Sequence, residues 1–169
     1  TTSYYHPSIS NDIIGVEVCA AIKNIFSMVI GASQGLCNDT LEDKLKENNY
    51  QNTAASLIRQ SLHEMGLFVD LLKGNMETVY GLAGLGDLYV SANAGRNSKM
   101  GSYIGKGYMY SETKKSKMPN ETVEGAELIF EIGPKIINDF NIKIMPLMIG
   151  MIDAILNDKR LVINWNDFK

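Results

Sequence analysis

Residues 13–36, IIGVEVCAAIKNIFSMVIGASQGL, constrain this chain more than any other stretch. Asp12 is a good N-cap, and Gly35 with Asn38 signals a stop, so the segment reads as one helix from about Ile13 to Leu36. From Ile13 to Ala32 it is apolar on nearly all sides, which marks a helix buried by neighbours on every face. A fold that contains it must wrap other elements around it. Strand signals are nearly absent elsewhere, with few period-2 runs and no Asn-Gly hairpin. The expected architecture is therefore all-α, a multi-helix domain built around a long buried helix.

The wrapping elements can be placed from their periodicity. Residues 1–11 are polar with no helical period and read as an N-terminal arm or a residual strand; the helical domain occupies 12–169. Residues 38–51 (NDTLEDKLKENNYQ) are polar and read as a loop or a short exposed helix. A second helix runs from about Asn52 to Lys73 and ends at Gly74-Asn75. The glycine-punctuated segment GLAGLGDLYVSANAGRN follows, helical over about Asp87 to Ala92, with a further helix opening at Arg96. Residues 111–120 (SETKKSKMPN) read as a basic, polar loop. Later helices span about Glu121–Asn138 and Pro146–Asn157, the latter with proline at a permitted first-turn position. The tail VINWNDF reads as one more short helix. Met145, Met148 and Met151 have core spacing.

Composition excludes several classes. The 169 residues suffice for one domain with a sizeable core, and 45% hydrophobic with 21% charged residues is a globular profile. A net charge of −3 argues against a general nucleic-acid binder. No uninterrupted apolar run is expected to reach a membrane span's length; 13–32 comes closest, broken by Glu17, Lys23 and Asn24. The N-terminus lacks a signal peptide's layout. Cys19 and Cys37 lack metal-ligand spacing, Cys19 reads as a buried small hydrophobe, and His6 and His63 form no constellation. No metal site is expected, and the chain reads as cytoplasmic.

Four features could carry chemistry. Lys23 lies mid-helix on the stripe Val16–Ala20–Lys23–Ser27–Ile30, where an ammonium is costly unless paired or used. Desolvation is also the usual route to a lysine acid or base. The plainer reading is a snorkelling or salt-bridged structural lysine. Asn24 adds a second polar group. In GLAGLGDL, Gly81, Gly84 and Gly86 permit close approach or positive φ. Asp87 then starts a helix, either as a cap or as an acceptor for a substrate hydroxyl or for Lys23. Ser91, one turn on, shares that face. Gly95-Arg96-Asn97 could cradle an anion with helix amides and a guanidinium, though an arginine at such a place is more often surface charge. Glu124 in ETVEG is favourable near a helix N-terminus whatever else it does. The run Lys114, Lys115, Lys117 reads as solvated loop, or as a segment that steers an anionic ligand or orders over the site.

In chain order these pieces resemble NAD(P)-dependent glycerol-3-phosphate dehydrogenase. The matches are DIIGVEVCAAIKN, NTAASLIRQSLHEM, METVYGLAGLGDLYVSANAGRN, GKG, ETVEG and MPLMIGMIDAILNDK, spread over about residues 12–165. The resemblance implies a C-terminal helical domain similar to that of 6-phosphogluconate dehydrogenase. No G-x-G-x-x-G follows a predicted strand, so the N-terminal Rossmann domain that would hold NAD or NADP is expected outside this chain, and the fragment alone is expected to be inactive. Carried over residue by residue, the resemblance makes Lys23 catalytic. It assigns Lys23, Asn24, Asp87, Ser91, Gly95, Arg96 and Asn97 to the substrate, and Arg96, Thr122 and Glu124 to the cofactor. The 38–51 segment departs from the family by looking longer than its usual short turn, and the 111–120 segment by its lysine content.

The reaction so implied is reversible hydride transfer between sn-glycerol 3-phosphate, a phosphorylated triol, and NAD(P), giving dihydroxyacetone phosphate. The implied partners are the substrate, the Rossmann domain of the same polypeptide and, on the exposed helical faces, a second copy of the chain. The competing readings are a non-enzymatic helical interaction or phosphate-sensing module, and the helical half of another hydroxyacid dehydrogenase.

Overall fold

A computed structural model describes residues 2–37, 50–140 and 142–168. Seven α-helices follow in chain order: α1 (Ile13–Leu36), α2 (Gln51–Leu71), α3 (Asp87–Ala94), α4 (Arg96–Gly105), α5 (Tyr110–Ser116), α6 (Glu124–Asp139) and α7 (Pro146–Leu156). Short 3₁₀ turns occupy Met76–Tyr80, Ile142–Ile144 and Trp165–Asp167, and a π turn occupies Leu82–Gly86. The described residues form no strand, as the missing period-2 pattern predicts. The 38–51 expectation falls almost wholly outside the described residues.

The central helix has the predicted bounds but not one uniform environment. Asp12 caps it, accepting from the Gly15 N–H at 2.9 Å. Every residue from Ile25 to Ser33 is buried, because α2, α3, α4, α6 and α7 all pack on α1. Its first half is open: Ile13 is 73% exposed, and Ile14, Glu17, Ala20 and Ala21 also face outward. By length and apolar composition alone α1 could cross a membrane, contrary to the sequence expectation. Its all-round burial between 25 and 33 makes it the core helix of a domain.

The packing of α4 on α1 is unusually close, and four glycines permit it. A Cβ on Gly101 would fall 1.9 Å from the Met28 carbonyl oxygen, one on Gly105 2.1 Å from that of Ala32, and one on Gly31 2.2 Å from that of Ser98. Gly35 likewise abuts the backbone at Gly105–Lys106. The two backbones touch through Gly31/Gly35 and Gly101/Gly105, which fixes how far the start of α4 stands from the middle of α1.

Helix α7 is held by a carboxylate from another helix. Pro146 opens it as predicted, and no residue of its own caps it. The fully buried Glu64 of α2 does so instead, accepting the N–H of Leu147 at 2.9 Å and of Met148 at 2.8 Å, and the Gln60 amide at 3.0 Å. These are the orphan donors of a helix start, satisfied in trans. Burial pushes the Glu64 carboxyl up from 4.5 to about 7, against the lowering effect of those N–H groups. Met145, Met148 and Met151 are fully buried, as their spacing predicts, and so is Cys19, whose thiol burial pushes up to about 11.

Two sequence boundaries shift. The basic stretch expected as a loop over 111–120 forms α5 in its first half, because Asp158 in the chain's last turn region caps it. Asp158 accepts from the Ser111 N–H at 2.9 Å and from its hydroxyl at 2.5 Å. The next helix begins at Glu124 and not Glu121, since residues 121–123 run extended into it.

Candidate functional site

The exposed half of α1 ends where its polar residues begin, and the predicted residues gather there. Lys23 reaches out from the middle of α1 and pairs with the Asp87 carboxylate. Its side chain is 17% exposed, while that of Asp87 is 39% exposed, so the pair sits at the floor of an open face. The Lys23 carbonyl accepts the hydroxyl of buried Ser27 at 2.7 Å, which satisfies that polar group without drawing on the ammonium.

Asp87 is placed by the glycine segment before it. A Cβ on Gly84 would lie 2.0 Å from the Val79 carbonyl oxygen, so the π turn can fold onto the preceding 3₁₀ turn only without a side chain there. Gly81, Gly84 and Gly86 do not take positive φ; close approach is the requirement at Gly84. Asp12 ties that 3₁₀ turn to the start of α1, accepting from the Asn75 N–H at 3.0 Å and the Thr78 hydroxyl at 2.6 Å. These bonds, Thr78 first, hold the Asp12 carboxyl below its ordinary 3.8. The chain then enters α3 with Asp87 in the first turn, where the helix dipole favours its charge. Ser91 lies one turn on, half-buried, and among the described residues its hydroxyl has no hydrogen-bond partner.

A second polar group adjoins the first through Asn24. Asn97 at the start of α4 is only 5% exposed and joins three helices. Its amide donates to the Asn24 oxygen at 3.1 Å and to the Glu124 carboxylate at 3.3 Å, and its oxygen accepts the Gly125 N–H at 2.9 Å. The other Glu124 oxygen pairs with Arg96. Arg96 and Glu124 are 52% and 39% exposed, so this ion pair forms the rim, with exposed Thr122 beside it. Gly95 precedes them in extended conformation. It is required because a Cβ would lie 2.6 Å from the Ser91 carbonyl oxygen. Gly95 has no side chain to cap α4, so among the described residues the first amides of that helix have no N-cap side-chain acceptor.

The structure thus brings Lys23 to Asp87, Asn24 to Asn97, and Arg96 and Asn97 to Glu124, with Gly95 against the Ser91 carbonyl, linking α1, α3, α4 and α6; among the described residues no hydrogen bond or ion pair ties Thr122 to them. Sequence reasoning missed the pairing of Arg96 with Glu124 and the extent to which the Asn97 amide is spent inside the protein. Both link α4 to α6, and nothing local in the sequence announces them. Among the described residues no three His, Cys, Asp or Glu side chains cluster as a metal site would need.

Comparison with known proteins identifies the family. Residues 12–164 match the family described as NAD-dependent glycerol-3-phosphate dehydrogenase C-terminus. The chain is 32% identical over 111 residues to the NADP(+)-dependent glycerol-3-phosphate dehydrogenase of Archaeoglobus fulgidus, covering 66% of this chain and 31% of that protein. It is 39% identical over 109 residues to the glycerol-3-phosphate dehydrogenase [NAD(P)+] of Coxiella burnetii, covering 63% and 30%. It thus spans about a third of these relatives' length. The crystal structure of the glycerol-3-phosphate dehydrogenase from Coxiella burnetii superposes with a TM-score of 0.71 at 30% identity, over 89% of this chain and 42% of that one. A glycerol-3-phosphate dehydrogenase structure from Saccharomyces cerevisiae superposes at 0.78 over 95% and 44%, but at 22% identity it speaks to the fold alone.

Proposed function

We propose that this chain, which belongs to the family of NAD-dependent glycerol-3-phosphate dehydrogenase C-terminal domains, is the substrate-handling and acid–base half of a glycerol-3-phosphate dehydrogenase. The full-length polypeptide would interconvert sn-glycerol 3-phosphate and dihydroxyacetone phosphate in the cytoplasm. Its dinucleotide-binding domain would lie in the part of the relatives that this chain does not span. The exposed apolar face of α1's first half and of residues 80–90 is available to that domain or to a second copy. One observation carries the reading: an ammonium placed among apolar helix surface is paired with a half-open carboxylate.

The chemistry follows from which groups are free to exchange partners. A nicotinamide cofactor supplies or accepts the hydride. The rim fits its polar edge, with Thr122 and Glu124 offering acceptors and Arg96 offering guanidinium N–H groups beyond the one Glu124 takes. In the reducing direction the Lys23 ammonium donates a hydrogen bond to the ketone oxygen and passes it a proton as that oxygen becomes an alkoxide. In the oxidising direction neutral Lys23 takes the hydroxyl proton. Asp87 holds the Lys23 side chain in position and accepts from a substrate hydroxyl, with the unpartnered Ser91 hydroxyl beside it. Arg96 and the first amides of α4, next to Gly95, bind the phosphate, and that remote contact aligns the reacting carbon. Asn24 and Asn97 hold the two halves of the site together.

The test is Lys23→Ala in the full-length protein. Loss of about 10²–10⁴-fold in kcat, with folding intact, is expected for removal of an acid–base group. Near-normal kcat would take Lys23 out of the mechanism. A full-length protein with no dehydrogenase activity would favour the non-enzymatic module.

A further inference from the structure

The lysine-rich stretch 114–117 contains one residue that is not a surface charge. Lys114 lies on α5, half-buried, and its ammonium points back at the turn that follows. It donates to the carbonyl oxygens of Met118 at 3.2 Å, Pro119 at 3.3 Å and Glu121 at 2.8 Å. An ammonium has three N–H donors, and here three carbonyls are offered to it in place of water. The neighbouring Lys115 is exposed. A second lysine grips the same turn, since Lys99 of α4 pairs with Glu121 at 2.6 Å. Met118 and Val123 are buried on either side. The segment between them leads directly into Glu124, the carboxylate shared by Arg96 and Asn97.

Val123, the residue before α6, offers no side-chain cap; the Asn97 oxygen of α4 takes the Gly125 N–H at 2.9 Å instead. The direction in which the chain enters that helix is set jointly by this bond and by the turn before it, and the turn's carbonyls are held by Lys114. We infer that Lys114 is a positioning residue: by binding the carbonyls of residues 118–121 it fixes the entry to α6, and with it the Glu124 carboxylate at the rim of the site. It touches neither substrate nor cofactor. The inference rests on the reading of the rim as the cofactor-facing edge given above.

The experiment compares full-length wild type with Lys114→Met, which keeps the aliphatic stem but removes all three donors, and with Lys115→Met as the neighbouring control. NADH affinity is read directly by fluorescence titration, and steady-state kinetics supply KM and kcat. Lys114→Met is expected to weaken NADH binding and raise its KM roughly tenfold, the order that one charge-assisted hydrogen bond carries. Its kcat at saturation should stay within about twofold, because Lys23 is untouched. Lys115→Met should match wild type. Equal NADH affinity in Lys114→Met and wild type overturns the inference, and so does a kcat loss with unchanged affinity. If Lys114→Met does not fold, Lys114→Ala, which removes the donors and admits water to the three carbonyls, carries the test; wild-type affinity in it is the overturning result. Wild-type protein that binds neither NADH nor NADPH would instead sink the parent reading, and where NADPH is the one bound the same titrations are run with it.

Discussion

Glu64 and Asp87 are both carboxylates that receive hydrogen bonds from another helix, and the contrast between them separates architecture from chemistry. Glu64 is sealed: fully buried, with its oxygens taken by two backbone N–H groups and the Gln60 amide. Backbone donors cannot leave, so this carboxylate can only hold α2 to α7. Asp87 is 39% exposed and its partner is the flexible ammonium of Lys23. A side-chain partner can swing to a ligand and back, and the open face lets a ligand arrive. Burial and donor type, more than the charge itself, decide which acid is a strut and which is open to a ligand.

Two substitutions set that division against itself. Glu64→Ala should give the largest effect, all of it on stability. Three buried donors would lose their acceptor, a loss of roughly 3–5 kcal/mol, which lowers the melting temperature by about 10 °C. Activity per folded molecule should survive, as measured by active-site-normalised kcat. Asp87→Ala should do the reverse. Its partner is near the surface, so the melting temperature should move little, while kcat falls about 10²-fold, the scale of losing one preorganised charge. A stable Glu64→Ala protein with crippled kcat, or an unfolded Asp87→Ala protein, would erase the distinction between the two acids.

The same contrast explains what could be read before the structure. The bounds of α1 follow from Asp12, the apolar run and the terminal glycine, because each acts within a turn or two of its own position. Asp87, Arg96 and Asn97 were legible as a set from their motifs and the family resemblance. Their partners were less so. Glu64 meets α7 across 83 residues, Asn97 meets Asn24 across 73, and Arg96 meets Glu124 across 28, so no local pattern encodes the pairing. Lysines write the same polar signature whether they face water or three carbonyls, which is why Lys114 read as solvent-exposed. Helix α5 was hidden for a related reason: its cap, Asp158, comes from a distant turn. Conversely, the uniform apolar pattern of α1 concealed that its first half lies open, since burial depends on which neighbours arrive.

The pH dependence of stability is the sharpest probe of the sealed acid. Burial raises the Glu64 carboxyl from 4.5 to about 7. Between those values the folded protein keeps a proton that the unfolded chain has released, so stability falls as pH rises through the window. Below 4.5 both states are protonated and above 7 both are ionised, so the contribution is flat outside it. The full drop amounts to about 3 kcal/mol. Asp12 and Asp158, both held below 3.8 by their hydrogen bonds, act with the opposite sign and at lower pH: their contribution is present above that value and lost as pH falls. Comparing wild type with Glu64→Gln cancels these shared terms, because the amide does not titrate. The stability advantage of wild type over Glu64→Gln should therefore shrink between pH 4.5 and 7, followed by thermal melts at half-unit steps. An advantage that stays constant across the window would mean that Glu64 remains charged throughout, with the two N–H groups of α7 outweighing desolvation.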